Sequence, residues 1–278
     1  MTELTVADIE RVLFEAFPRA DAESWDNPGL AVGDLSQWVK GIAFALDCTA
    51  RQVIAADEAG CNVLVTHHPP FIGSGPSSFG PQKQGSTTGP GRLVYEAVRR
   101  GVAVIAMHTN ADRSVRVRNR FAEVLGWTCL GNFEHLEDAS RAAGGAGFGA
   151  VFEMEPGCKL ADVARICLSK LGGAPRVWGD PAKPIARVAY LNGSWGETSL
   201  YGTCLEHGID CMIVGEPKYH PSLDSQPHLA VVDLGHDISE LPIVDVLMDV
   251  VRENCGSVER LVDLRDSGAN WWTCSDSE

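Results

Sequence analysis

The sequence predicts an α/β fold: two related α/β lobes with mainly parallel sheets flanked by helices. Three observations carry that expectation. Short apolar runs of strand character alternate with segments of helical periodicity, the pattern of parallel βαβ units. The second half of the chain faintly repeats the order of elements in the first. Histidines and acids gather where apolar runs end, and in open α/β sheets the crevice lies beyond the carboxyl ends of the strands.

A helix opens the chain. Thr5 can cap it, Asp8 follows three residues later, and Ile9, Val12, Leu13 and Phe17 recur at helical spacing until Pro18 stops the run. Residues 23–33 (ESWDNPGLAVG) read as a turn-rich connection. Residues 41–46 read as a buried strand, 50–59 as a helix and 62–66 as a second strand. Residues 71–91 hold too much Gly, Pro and Ser for a regular element, and a loop of that length reads as a functional flap or a mobile segment. A helix over 92–100 and a strand over 102–107 follow.

Past a Gly/Ala stretch at 142–150, read as a domain junction, the alternation resumes. Strands are expected at 151–154, 185–191, 211–214 and 230–234, with helices at 160–171 and 198–207. Pro242 is tolerated in a helix's first turn, so a final helix is expected over 242–253, with Ser239 near its cap and Glu240 at its start. The lobes then run over 1–130 and 131–230, and 231–278 returns to complete the site. The repeat itself sets NVLVTHHPP against CMIVGEPKYH, and VAVIAMHTNAD against LAVVDLGHDISE. The last two end in His, three residues, then an acid: His108 with Asp112, and His236 with Glu240. Parallel βα units look alike by default, so these paired endings are what argues for duplication.

Hydrophobic residues make up 45% and charged residues 22%, the mixture of a globular chain with a core. Thirty-seven acidic against 23 basic residues give a net charge of −14. A field of that sign repels phosphate backbones and anionic lipid, which argues against nucleic-acid and membrane partners. No run approaches the roughly 18 apolar residues of a membrane span, and the first ten residues lack the regions of a signal peptide, so a cytoplasmic location is expected. None of the nine cysteines forms a C-x-x-C pair. Buried free thiols in a reducing compartment are the better reading than a thiolate metal site.

Three strand ends carry ligand-type side chains: His67 with His68, His108 with Asp112, and His236 with Glu240. Each has a simpler reading taken alone. A single histidine at a strand end is more often a hydrogen-bonded core residue than a ligand. Asp112 would cap the next helix, and Glu240 would favour a helix start through the macrodipole. Taken together, four histidines and two carboxylates at three strand ends favour a metal site. Nitrogen and oxygen donors without thiolates suit Zn, Fe, Mn, Co or Ni and do not choose among them. Lys218, Tyr219 and His220 follow another strand end and are candidate substrate contacts, with a solvated loop as the alternative. Residues 192–198 (NGSWGET) match neither phosphate-binding fingerprint and read as an ordinary βα turn. His135, His207 and His228 read as surface or helix-end residues.

SWDNPGLAVG, VTHHPPF, GRLVYEAV, AMHTNAD, IVGEPKYH and LGHDISE occur in that order across residues 24–240, most of the chain. In these segments the sequence resembles the NIF-three-like proteins, also known as type 2 GTP cyclohydrolase I homologues or dinuclear-metal-centre hexameric proteins. Adjacent HHP, HTN-x-D and GH-x3-E are specific in combination and weak singly. The resemblance implies two divalent transition-metal ions between two α/β domains. His68, Asp112 and Glu240 would hold one ion; His67, His236 and Glu240 would hold the other, with Glu240 bridging. His108 would stand close by as a catalytic or substrate-contacting group, and Glu240 would also take part in catalysis. The resemblance further implies a toroidal homohexamer. The chain departs from the family in its less glycine-rich 192–198 loop and in Ala111. The function expected is a dinuclear-metal-dependent hydrolase of a small molecule, GTP cyclohydrolase I type 2-like by resemblance. A non-catalytic metal-binding or metal-delivery protein and a regulatory ring are the rival readings.

Overall fold

The computed structural model describes residues 4–72, 79–80, 89–134, 145–195 and 198–265. Most of the 71–91 loop, residues 142–144 of the 142–150 junction and His135 lie outside the described residues. The described residues divide into two compact units, 4–113 with 243–265 and 114–242. The first division falls at Arg113/Ser114, earlier than the expected position 130. The reason is packing: α5 (Val115–Leu125) stacks its Phe121 ring on Tyr190 of the second unit, with centroids 4.5 Å apart.

Unit 1 begins with α1 (Val6–Ala16), closed by the expected capping box. The Asp8 carboxylate accepts the Thr5 N–H at 2.9 Å, and Asp8 donates its own N–H to the Thr5 hydroxyl. Strand β1 (Gly29–Val32) then lies where a connection was expected. Its ladder partner is distant in sequence, so local pattern does not reveal it: β1 pairs antiparallel with β4 (Ala103–Ala106). Strands β2 (Ile42–Ala45), β3 (Val63–Thr66), β4 and β11 (Leu261–Asp263) run parallel, in the order β1-β4-β3-β2-β11. Helices α2 (Ala50–Glu58) and α3 (Pro90–Arg100) cover one face through Val53, Ala56, Leu93 and Ala97, packed on Ala43, Ala45, Leu64 and Val104. The alternate residues Ile42, Phe44, Val63, Val65 and Ile105 are also fully buried, so the sheet is covered on both faces, as parallel strands require. A single turn, α4 (Thr109–Asp112), follows β4.

Unit 2 holds a six-stranded sheet in the order β5-β6-β8-β9-β10-β7. Its strands are β5 (Thr128–Gly131), β6 (Ala150–Glu153), β7 (Arg176–Trp178), β8 (Arg187–Ser194), β9 (Cys211–Glu216) and β10 (Ala230–Asp233). Only β8–β9 and β9–β10 run parallel; the other pairs are antiparallel, so this sheet is mixed. Val188 and Tyr190 face one side; Ala189 and Leu191 face the other, where Leu200, Tyr201 and Cys204 of α7 (Thr198–Glu206) complete a core cluster. Helix α6 (Leu160–Leu171) matches its expected bounds, and α8 (Tyr219–Asp224) follows β9. The last helix, α9, spans His236–Asn254 rather than 242–253. Ser239 already donates its N–H to the Gly235 carbonyl, so helical bonding is under way before Pro242. Proline there removes only the bond to the Ile238 carbonyl. Glu240 therefore sits in the second turn, and not at a helix start.

The duplication is visible in topology. Unit 1 orders its first four strands β1-β4-β3-β2, and unit 2 orders the corresponding ones β7-β10-β9-β8, with the first strand antiparallel in each case. No helix among the described residues is long and apolar enough to cross a membrane.

All cysteines of the described residues are free, and Cys61, Cys167, Cys204, Cys211 and Cys255 are buried. Burial pushes the Cys167 and Cys204 thiols up to about 12 and Cys211 well above its ordinary value. A raised thiol pKa leaves the unreactive protonated form in place at neutral and mildly alkaline pH. A thiol reagent at about pH 8 should therefore label the partly exposed Cys129 and Cys158 in the native protein. Cys167, Cys204 and Cys211 should react only after denaturation; peptide mapping that finds them labelled in the native state would contradict the buried core.

Candidate metal centre

The site residues of unit 1 stand where β3 and β4 end. His67 and His68 follow β3, tied to the neighbouring strand's end by backbone bonds from their N–H groups to the Ala45 and Leu46 carbonyls. Two neighbours on a strand would diverge. Here the chain turns into Pro69–Pro70, and the rings of His67 and His68 lie 5.1 Å apart at 42°. His108, which precedes α4, brings its ring within 5.3 Å of His67 and 5.8 Å of His68. Donor atoms of the three side chains all lie within 4.8 Å of one another.

Each ring is oriented by an acceptor on its Nδ1. That of His67 donates to the Met107 carbonyl at 2.9 Å, that of His68 to Asp47 at 2.8 Å, and that of His108 to Asp26 at 3.1 Å. A carbonyl or carboxylate can only accept, so in the neutral ring the proton sits on Nδ1 and the lone pair on Nε2. This is the arrangement of metal-ligating histidines, whose other nitrogen is tied to a carboxylate or carbonyl. His67 is fully buried, and its Nε2 faces Asp112 Oδ1 at 3.5 Å. A lone pair opposite a carboxylate in a buried site calls for a cation between or beside them.

The SWDN segment supplies part of this frame. Asp26 accepts the Thr109 N–H at 3.0 Å and its hydroxyl at 2.5 Å, and Thr109 Oγ1 accepts the Glu23 N–H at 2.9 Å. Arg113 donates to the Asp21 carbonyl and to Glu23 at 2.7 and 2.6 Å. Burial raises the Asp26 carboxyl, but bonds from His108 and Thr109 outweigh it and hold the group at about 2. The Trp25 ring meets His108 edge-on at 5.9 Å.

Unit 2 repeats the device at the ends of β9 and β10. His236 opens α9, with Nδ1 3.2 Å from Glu216 at the end of β9 and Nε2 3.2 Å from Glu240, one turn along the helix. Glu240 is buried and also accepts the Asn192 amide at 3.4 Å. Ser239 locks the helix start to β8, accepting the Gly193 N–H at 2.9 Å and donating to the His236 carbonyl at 2.7 Å. Two glycines make the approach possible. A Cβ on Gly193, whose φ is +73°, would lie 2.5 Å from Glu240 Oε1; one on Gly215 would lie 2.6 Å from Ser239 Oγ.

The structure thus brings together His67, His68, His108 and Asp112 within unit 1, and His236 with Glu240 within unit 2. Asp112 does not cap the following helix: Ser114 does, accepting the Arg116 N–H at 3.1 Å. Lys218 precedes α8, and Tyr219 and His220 are exposed, their rings edge-to-face at 5.3 Å. His207 stands just past α7 with its ring 5.7 Å from Phe133, and the His228 carbonyl accepts from Lys183. Asp26, Asp47 and Glu216 were given no role by the sequence. A sequence signal existed for Asp26 and Glu216, which lie in motifs already singled out; Asp47 carried none.

The chain resembles known proteins in sequence and in fold. The family model described as Duf34/NIF3 (NGG1p interacting factor 3) matches residues 4–264. The chain is 31% identical over 248 residues to a GTP cyclohydrolase 1 type 2 homolog of Clostridium acetobutylicum, covering 88% of each protein. Its fold is similar to that of the Staphylococcus aureus hypothetical protein SA1388, with a TM-score of 0.81 and 25% identity over 98% of this chain and 100% of the other. A Bacillus cereus protein related to NIF3 gives 0.79 at 17% identity, over 100% and 99%, a likeness of fold alone.

Replacing Gly193 by Ala puts a Cβ against the Glu240 carboxylate and strains a left-handed backbone. The expected loss is about 1–3 kcal/mol of stability, read as a lower denaturant midpoint. Gly202, within α7, has open space around it. Gly202→Ala should be neutral or stabilising by up to about 1 kcal/mol, and equal effects of the two changes would contradict the packing at Glu240.

Proposed function

The chain belongs to the Duf34/NIF3 family, and from that premise we propose that it is a metal-dependent hydrolase acting through two ions. His68, Asp112 and Glu240 would hold one ion and His67, His236 and Glu240 the other, so that Glu240 would serve both. The observation that carries this reading is the uniform orientation of the histidines. His67, His68, His108 and His236 each place Nδ1 against an oxygen acceptor, which leaves Nε2 as a donor to a cation. Bound there, a pair of first-row transition ions would activate a water as nucleophile and stabilise developing negative charge on the attacked group.

The chain's own residues do the rest. Asp47, Asp26 and Glu216 fix the imidazoles in the ligating tautomer. Buried Asp112 and Glu240 supply the anionic charge that offsets two adjacent cations. His108 stands beside His67 and His68 as a proton carrier or substrate contact. Lys218, Tyr219 and His220 are proposed to contact the substrate. The names of the relatives point to GTP as the first substrate to test, beside phosphoesters and cyclic amides. The same resemblance supports a hexameric ring, which light scattering at micromolar concentration checks: a stable monomer would remove that part of the reading.

Chelator-treated protein reloaded with Zn, Fe, Mn, Co or Ni should bind close to two ions per chain by elemental analysis. Well under one would overturn the proposal. Glu240→Ala should weaken both ions together, while His67→Ala and His68→Ala each weaken mainly one, with circular dichroism as the folding control. Asp47→Asn should lower metal affinity by about 10–100-fold, measured by competition with a chromophoric chelator. Undiminished affinity in Glu240→Ala would refute the bridge. Two tightly held ions without turnover on the substrate panel would favour the metal-delivery alternative.

A further inference from the structure

Unit 1 contains a cavity of about 290 Å³, lined by Arg19, Asn27, Leu30, Pro69, Pro70 and Phe71 among others. Two of its lining segments adjoin residues of the histidine cluster or their partners. Asn27 adjoins Asp26, which orients His108, and Pro69 adjoins His68. The volume is at the low end for small-molecule sites, about 300 Å³ and upward. In a chain of net charge −14, this lining carries no carboxylate. Its single charge is the Arg19 guanidinium, and its polar neighbour there is the Asn27 side-chain amide.

Arg19 is exposed and makes no ion pair among the described residues. It stands on a single turn after α1, and its guanidinium lies over the Phe14 ring, 4.5 Å from the centroid. Gly29 makes room for it: a Cβ there would lie 2.6 Å from Arg19 Nη2 and 2.9 Å from Phe14 Cζ, and φ is +109°. The nearby Glu10 carboxylate is engaged by the Leu30 N–H at 2.8 Å. Among the described residues no carboxylate lies within 4.0 Å of the Arg19 guanidinium. A planar fork of N–H donors at an exposed position, with no carboxylate at ion-pair distance among the described residues, is suited to an oxyanion that accepts two hydrogen bonds at once.

We propose that this cavity is an oxyanion subsite of the metal centre, in which Arg19 and Asn27 hold a phosphoryl or carboxyl group of the substrate while its reacting bond lies toward His68 and His108. The proposal rests on the metal-hydrolase reading for the second half of that sentence. It defines the substrate class as small molecules bearing an oxyanion group set apart from the bond that is cleaved.

The test uses the full chain stripped of metal by chelator, so that the probe cannot bind to ions. Inorganic phosphate and, separately, acetate are titrated while arginines are modified with phenylglyoxal and mapped by mass spectrometry. One of the two anions should slow modification of Arg19 severalfold relative to Arg165 and Arg187, and whichever protects better names the group. Arg19→Met should bind that anion about tenfold or more weakly by calorimetry while retaining two ions on reloading. Unchanged modification of Arg19 at millimolar phosphate and acetate overturns the subsite, as does wild-type anion affinity in Arg19→Met. Should Arg19→Met fold poorly or lose its ions, the footprint on the wild-type chain still decides. Protection of Arg19 in a chain that takes up no metal would support the subsite and sink the metal reading; two ions with no protection would do the reverse.

Discussion

The centre depends on which nitrogen of each imidazole carries the proton. A neutral histidine can donate through one nitrogen and accept through the other, and only the accepting one can ligate. Fixing the choice needs an acceptor at every Nδ1. The Met107 carbonyl does this for His67, Asp47 for His68, Asp26 for His108 and Glu216 for His236. Each acceptor must itself be held. Asp26 is tied by Thr109, and the Met107 carbonyl belongs to the end of a strand whose neighbour bonds Met107 N–H through Thr66. The donors are therefore as rigid as the sheet ends that carry them.

Much of the fold serves this purpose. A parallel strand that stops abruptly exposes its last residues at the sheet edge, while the rest of the strand stays buried on both faces. Val63–Thr66 and Ala103–Ala106 are buried throughout; His67 follows the first directly and His108 follows the second after Met107. In the second unit, approach is limited by backbone bulk. Gly193 and Gly215 remove it, and Ser239 then bonds both the strand and the helix start. A buried carboxylate such as Glu240 costs several kcal/mol unless hydrogen-bonded or neutralised. The Asn192 amide and His236 meet part of that cost.

The sequence made the repeating strands and most helices legible because their signals are local. The Thr5–Asp8 capping box, the period of α6 and the apolar runs of β2, β3 and β4 are each written within a dozen residues. What it hid depends on distant partners. Gly29–Val32 is a strand only because Val104–Ala106 lies beside it, and Arg176–Trp178 only because Val231–Asp233 does. The start of α9 is hidden because a proline fits a helix's first turn as readily as the position Pro242 takes in its second. The ligand-type residues were legible from their recurrence at strand ends. The groups that orient them were less so: a main-chain carbonyl has no sequence signature, and an aspartate such as Asp47 looks like any loop acid until the fold brings it to His68.

The repeat explains why one motif gives two geometries. His-x3-acid closes the corresponding strands of both units, yet the pairings differ. In unit 2, His236 is the first residue of a long helix, so Glu240 lies one turn above it and pairs with it directly at 3.2 Å. In unit 1, His108 precedes the single turn α4 with non-helical dihedrals of −108° and −110°. Its ring is therefore not stacked under Asp112 but turned to Asp26, and Asp112 meets His67 from the neighbouring strand instead. The spacing is shared, but the backbone at the histidine decides what the acid can reach. Unit 1 consequently gathers three imidazoles, one of which meets a buried carboxylate, whereas unit 2 sets one imidazole between two carboxylates. A duplicated strand-end motif has become two chemically different donor sets, one rich in nitrogen and one rich in charge.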